Sequence, residues 1–310
     1  MKDILIIGGS YFVGKVFVEE LVKESDYSIT VLNRGNRPLR MQGLKEIVCD
    51  RNDVDKFKQS VSSTQWDVIV DFCAYTPQDI ENALSVFPKG GVKHYIYIST
   101  TSIYQATQML PITEDAPKLS GPQPELGPQA ADYAYNKWLG EIRLKELCSQ
   151  KEINYTSFRP AIIYGKYNYA PRESYFFDSI IESETIIIPD NRLPLFSFVS
   201  VWDVAKILIA SLGNEELYKK EYNLSSLEFI SYARFAEVLE EIAGKFLYVN
   251  IMSIRDINSS RIPLPFPLNK HLIYSGALIQ SILGFEYTPF IDGMRDTYNY
   301  YLQSRGISLS

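Results

Sequence analysis

The sequence is poor in the residues that mark several large classes of protein. It has three cysteines, Cys49, Cys73 and Cys148, far apart and without a CxxC pair. An odd, sparse set of this kind excludes a disulfide framework and a cysteine-based zinc site, and points to a reduced, cytoplasmic setting. Only two histidines are present, His94 and His271, too few for a histidine-rich metal centre, so no metal is expected. No apolar run approaches the roughly 20 residues of a bilayer-spanning helix, and no membrane partner is expected. The opening MKDILIIGGS has four apolar residues before its glycines, too few for the apolar region of a secretory signal. Lys and Arg total 31 against 37 Asp and Glu, a net charge of −6, with no basic block. That excludes the positive footprint on which nucleic-acid binding rests.

What is there is a chain of 310 residues, long enough for about two domains at roughly 150 residues each. With 46% hydrophobic and 22% charged residues it can bury a sizeable core. The 22 Tyr and 16 Phe are unusually many; most are expected in the core, and the surplus leaves room for an aromatic-lined pocket.

Strand-like and helix-like stretches alternate through the first half. Residues 3–7 (DILII), 28–33 (SITVLN), 46–49, 67–72 (DVIVDF), 94–99 (HYIYIS) and 155–158 read as strands. Residues 12–23, 77–87 and 132–150 read as helices, with Pro77 in a first turn. Strand and helix repeated in this way imply right-handed crossovers and an α/β fold with a doubly wound parallel sheet. Residues 104–129, with five prolines, read as a long loop, the kind that is usually functional. Beyond Gly165 come an aromatic segment (167–177), a strand at 185–188, helices near 201–212 and 232–243, and an irregular IPLPFPL at 262–268.

The first strand runs into Gly8-Gly9-Ser10-Tyr11-Phe12-Val13-Gly14 and then a helix. Glycine there permits a tight turn, lets the backbone approach a pyrophosphate, and lets helix and strand pack closely, while the helix N-terminus offers free N–H groups. Gly8, Ser10, Tyr11, Phe12, Val13 and Gly14 are therefore candidate cofactor residues. A dinucleotide site places its ribose-binding acid about 20 residues on. Here that place reads Asn33-Arg34-Gly35, with Arg37 close behind. No carboxylate in that stretch takes the ribose 2′-OH, and Arg34 offers a charge-assisted fork to a 2′-phosphate. The reading is NADP, with NAD as the second choice. After the third strand, Asp50 is placed to accept from the adenine amino group and Arg51 stands beside it; the competing reading for the acids of this DRND run is a helix N-cap.

Tyr133 and Lys137, in YAYNK, stand four residues apart on one face of the long helix. A lysine ammonium beside a phenol favours the phenolate and lowers a pKa near 10. Such a tyrosine exchanges a proton with a carbinol or ketone while hydride moves to or from nicotinamide. The fifth strand ends in Ser99-Thr100-Thr101-Ser102, any of which can bond the same oxygen.

These pieces, together with DFCAY, YISTTSIY, FRPAIIYG (158–165), FVSVWDVA (198–205) and EYNLSS (221–226), stand in one order over nearly the whole chain. In that order they resemble the extended short-chain dehydrogenase/reductases, the NAD(P)-dependent epimerase/dehydratase family. The resemblance implies a Rossmann domain at 1–165, with 198–222 returning to it, and a smaller substrate-binding lobe at 166–197 and 223–310. It implies a nucleotide sugar or similar polar molecule as substrate, and a homodimer built on helices 77–87 and 132–150. Thr100, three places before Ile103-Tyr104, becomes the catalytic hydroxyl and Tyr133 the acid/base; Lys137 holds Tyr133 and the nicotinamide ribose, with Ser99 on the cofactor side. The family's dehydratases carry Asp-Glu where this chain has Thr101 and Ser102, which argues against a 4,6-dehydratase. Tyr11 replaces a central glycine, a form like the GGT-R-F turn of a subgroup that includes reductase-like and stem-loop-binding proteins. The rival reading is thus a binding protein, a redox sensor or an RNA binder, that no longer catalyses. The family's arginine before F-V-x-V is absent at 195–197; Arg172 and Arg192 are the candidate substitutes, against a plain surface role. His94 and Cys73 read as structural, Asp203 as serving its helix N-terminus, and Glu114-Asp115 as solvating or capping the loop.

Overall fold

The computed structural model describes residues 1–307. In chain order its strands are β1 (Lys2–Ile7), β2 (Tyr27–Asn33), β3 (Leu44–Val48), β4 (Trp66–Asp71), β5 (Val92–Ile98), β6 (Asn154–Pro160), β7 (Ile162–Tyr164), β8 (Thr185–Pro189), β9 (Phe196–Ser200), β10 (Lys220–Leu224), β11 (Phe229–Ile230) and β12 (Tyr248–Met252). Its helices are α1 (Phe12–Leu21), α2 (Val54–Val61), α3 (Pro77–Ser85), α4 (Pro128–Lys151), α5 (Glu173–Glu182), α6 (Val201–Ala210), α7 (Tyr232–Ala243), α8 (Ile254–Ser259), α9 (Ala277–Leu283) and α10 (Phe290–Ser304). Seven strands form one sheet in the order β10-β6-β5-β4-β1-β2-β3. All its pairs are parallel, as the alternating pattern requires.

The strands are apolar on both faces because both faces are covered. Ile4 and Ile6, with Val68, Val70, Ile96 and Ile98, pack on α1 and α6. Leu5 and Ile7, with Ile69, Tyr95 and Tyr97, pack on α2, α3 and α4. Fully burying each such aliphatic side chain contributes about 1.5–3 kcal/mol, which makes the carboxyl edge of the sheet a rigid mount for the loops above it. The second lobe holds a three-stranded sheet, β11-β9-β7, and a two-stranded one, β12-β8. Its core is aromatic, with Phe176, Phe177, Phe196, Phe198, Phe235, Phe266 and Phe290 in one cluster.

Several expectations shift. The aromatic segment 167–177 runs into a helix, α5, whose Phe176 and Phe177 are core. The short helix α2 and the late helices α9 and α10 were not read from the pattern. Helix α4 begins at Pro128, since Gly127 at φ 78° turns the chain and proline suits the first helical position. Within 198–222, α6 and β10 lie in the central layer, whereas β9 pairs with β7 and β11 in the small sheet. The stretch 262–268 is irregular, as its prolines require.

The long loop after β5 is tied down from beneath. Arg159 on β6 is 1% exposed and forks onto Glu141 of α4 at 3.0 and 2.6 Å. Its other nitrogen donates to the Tyr104 hydroxyl at 2.9 Å, and Tyr104 donates to Asn223 of β10. Glu114 accepts from the Asn223 amide at 2.9 Å, so it anchors the loop rather than solvating it. Asp203 gives its carboxylate to the amide and hydroxyl of Thr288, and Ser200 is the residue that caps α6.

Candidate active site

The glycine turn is as tight as its sequence demands. Gly8 and Gly9 have φ of 94° and 75°, values that favour glycine. A Cβ on Gly14 would lie 2.7 Å from the Gly9 Cα, so α1 is seated directly on the turn. Tyr11 precedes α1 without a side-chain cap, and no acid stands in the first turn, which leaves the amides of Phe12 and Val13 able to meet an anion. The Tyr11 ring is sandwiched. Arg37 lies 4.0 Å from its centroid on one side, and Tyr169 of the second lobe stacks on it at 4.7 Å. Ser10, Tyr11, Phe12, Lys15 and Arg37 line a cleft of about 710 Å³ against α5 and α10. That cleft stops short of Thr100, Tyr133 and Lys137.

At the β2 end the predicted residues divide. Arg34 is exposed. Asn33 is spent on local structure: its oxygen accepts from the Gly35 amide at 2.7 Å and its nitrogen donates to Glu46 at 3.3 Å. Asp50 is exposed and accepts from the Asn52 amide, while Asp53 is the residue that caps α2. Arg51, expected at the cofactor, is buried and forks onto Asp71 at 2.7 and 2.8 Å, and it also donates to the Asp79 carbonyl. Burial alone would raise the Asp71 carboxyl, but the Arg51 charge together with the hydrogen bonds from Arg51, Tyr95 and the Cys73 amide outweighs it and holds Asp71 ionised.

At the β5 end, Ser99, Thr100, Tyr133 and Lys137 come together. Lys137 is 2% exposed and donates to the carbonyls of Ala74 at 2.8 Å and Ile98 at 2.5 Å. Burial lowers its pKa to about 8, against the pull of Asp71 and Glu141. Tyr133 is 40% exposed. Its phenol is raised by burial and drawn back by the Thr100 hydroxyl and the nearby Arg172. The expected depression of Tyr133 by Lys137 is therefore not found: the ammonium is turned to main-chain carbonyls. The Thr100 hydroxyl also donates to the Ser102 hydroxyl and accepts from the Ser102 amide, both at 3.2 Å. The Ser99 hydroxyl is buried and, among the described residues, has no partner.

Two contributors escaped sequence reasoning. Asp71, ending β4, accepts from the amides of Cys73 and Ala74 at 3.0 Å, and so fixes the turn whose Ala74 carbonyl holds Lys137. The signal was an acid at the end of an apolar strand, paired with the arginine of DRND. Tyr75, 53% exposed, has its ring 6.4 Å from that of Tyr133 and its phenol pushed up to about 12 by burial. Of the aromatic candidates, Tyr164, Phe176 and Phe177 are core and Tyr169 reaches the turn. Arg172 donates to the Ile163 carbonyl and Arg192 is exposed. His94 is fully buried against Thr156, its pKa pulled down to about 3 by burial, hence neutral and structural. The Cys73 thiol is raised to about 11, chiefly by burial, and is inert. Among the described residues no cluster of acids, histidines and cysteines could hold a metal ion, and no helix is long and apolar enough to cross a membrane.

The residues fit a dinucleotide: a turn that only glycine can make, an uncapped helix above it, and an orphaned buried hydroxyl at Ser99 where the same edge of the sheet meets the Tyr/Lys pair. Fold and site together define an extended-type short-chain dehydrogenase/reductase. The chain belongs to the NAD dependent epimerase/dehydratase family, whose model matches residues 4–225. It is similar to the chloroplast stem-loop binding protein of 41 kDa b of Arabidopsis thaliana, 26% identical over 317 aligned residues that cover 96% of this chain and 79% of that protein. Among solved structures, the UDP-glucose 4-epimerase of Thermotoga maritima with UDP-glucose matches with a TM-score of 0.78 at 17% identity, covering 98% of this chain and 99% of the other. The dTDP-glucose 4,6-dehydratase of Bacillus anthracis in complex with NAD matches with a TM-score of 0.77 at 15% identity, covering 99% and 98%. At these identities the structural matches speak for the fold.

Proposed function

We propose that this protein is an NADP(H)-dependent reductase or epimerase, NAD being the second choice, acting on a hydroxyl/keto pair of a nucleotide-linked sugar. The observation that carries it is the convergence of Thr100, Tyr133 and Lys137 beside the unpartnered Ser99 hydroxyl. The nucleotide-sugar part draws support from what the matching epimerase binds.

When bound, the nicotinamide would accept or return a hydride at the carbinol carbon. Gly8, Ser10 and the amides of Tyr11 to Gly14 would hold the pyrophosphate, and Arg34 a ribose 2′-phosphate. Thr100 orients the substrate oxygen. As phenolate, Tyr133 takes the proton from a carbinol, and as phenol it returns that proton to a ketone, worth typically 10²–10⁴-fold. On release from one of its two carbonyls, Lys137 would meet a ribose hydroxyl, and only then would its charge favour the phenolate.

We further propose a cytoplasmic homodimer through α3 and α4, which pack side by side and are joined by Arg143–Glu81 at 2.8 Å. Light scattering is expected to give twice the 35.5 kDa chain mass; a monomer at micromolar concentration counts against it. The plant relative prompts a second reading, stem-loop RNA binding, which the net charge of −6 disfavours. Mass spectrometry of the nucleotide and sugar retained on purification tests the main reading. A nicotinamide dinucleotide with a sugar nucleotide is expected; a protein that binds neither NADPH nor NADH in titration defeats it.

A further inference from the structure

Glu46 of β3 closes a small polar knot beneath the basic loop 34–40. One of its oxygens accepts from the Leu39 and Arg40 amides, both at 3.0 Å. The other accepts from Leu39 at 3.2 Å and from the Asn33 side chain at 3.3 Å. Two successive amides aimed at one anion make a nest, and here the anion is the protein's own. Burial alone would raise the Glu46 carboxyl, but these donors outweigh it and keep it ionised. The loop is thus pinned at both ends. At its start Asn33 holds Gly35, which takes a φ of 77°, and at its end Glu46 holds Leu39 and Arg40, the latter at a φ of 52°. Between the pins stand Arg34, exposed, and Arg37, laid on the ring of Tyr11.

We propose that Glu46 is a positioning residue for cofactor selection. It holds the loop in the shape that leaves Arg34 free and seats Arg37 on Tyr11, and this shape is what takes up a ribose 2′-phosphate. The assignment explains two oddities together. An acid sits close to a site meant for a phosphate because its charge is consumed by loop amides. A tyrosine stands where the turn usually has glycine because its face carries an arginine. The inference rests on the NADP(H) reading.

The test is calorimetric titration of NADPH and NADH into the native protein, Glu46→Ala and Glu46→Gln, with amide hydrogen exchange at Leu39 and Arg40. Glu46→Ala is expected to weaken NADPH by about tenfold, the scale of one charge-assisted contact, to leave NADH nearly unchanged, and to speed exchange of both amides. Glu46→Gln keeps an acceptor oxygen and is expected to recover part of the NADPH affinity. Should the alanine variant not fold, the glutamine variant still decides, through a smaller loss confined to NADPH. Tyr11→Leu is expected to lose the preference that Tyr11→Phe keeps. A native protein that binds both cofactors alike overturns the NADP(H) reading. A native preference that survives Glu46→Ala, or that strengthens because removing a negative charge dominates, overturns the positioning role alone.

Discussion

Lys137 and Arg34 are the two cations proposed above to meet one cofactor, and they are held in opposite ways. Lys137 is shut in, its ammonium donating to two main-chain carbonyls that are fixed in turn by β5 and by the Asp71 turn. Arg34 stands in solvent on a loop whose ends alone are pinned. The contrast follows from what each end has to do. Proton and hydride transfer require reacting groups within a fraction of an ångström, and misplacement by about 1 Å can cost 10²-fold, so the chemical end is built into the core. Discrimination of a phosphate needs charge within reach, and an exposed arginine on a pinned loop provides it with little desolvation.

The largest test of the buried end is Tyr133→Phe, which removes the proton donor and keeps the ring. Turnover is expected to fall by about 10²–10⁴-fold, while titration shows dinucleotide binding intact. Unchanged activity would mean that the phenol does no chemistry, and the binding-protein reading would then lead. Next comes the frame behind it. Glu141→Ala leaves the Arg159 charge buried without its partner, and thermal melts are expected to show a loss of about 3–5 kcal/mol. A loss no larger than that of an exposed pair would show the network to be dispensable.

At the exposed end, Arg34→Ala is expected to remove about 1.5–3 kcal/mol of preference for NADPH over NADH without a change in melting temperature. If the fold weakens as well, the two ends are less different than their burial implies. The last test is the pH response of Lys137. Its folded pKa of about 8 lies below its usual 10.5. Below pH 8 both folded and unfolded chains carry the charge, and the fold bears its burial. Between about pH 8 and 10.4 the unfolded chain binds the extra proton, so stability rises with pH across that window. Melts of the native protein against Lys137→Met isolate the rise, which the methionine variant lacks; parallel curves would place the lysine in a wetter setting.

The central layer was legible because both of its periods are strict. Residues 3–7 and 67–72 are apolar throughout because both faces are covered, and the glycine turn has only one good geometry. The Tyr133 and Lys137 pair was legible from helical spacing, while Thr100 was singled out from its hydroxyl neighbours by the family resemblance. Side-chain commitments were not. Whether Arg51 meets a ligand or Asp71 depends on how β3 and β4 lie beside each other's loops, a contact across 20 residues. Glu46 escaped notice because the acid was sought at the end of β2, whereas it reaches that place from the neighbouring strand at the Val31 register. The aromatic segment hid α5 because its rings serve a core formed with residues 235, 266 and 290, which no local window contains.

The edge strand β10 bears on how the chain is made. β10 pairs with β6, but 60 residues separate Pro160 from Lys220. At about 5–20 residues per second a ribosome needs roughly 3–12 s to cover that distance. Through this interval β6 offers an open row of amides and carbonyls, and the face of Phe158 that Tyr222 later covers is bare. The nascent chain therefore carries a sticky seam for seconds, and a slow stretch of translation between residues 160 and 220 would lengthen its exposure to chaperones or to a neighbouring chain.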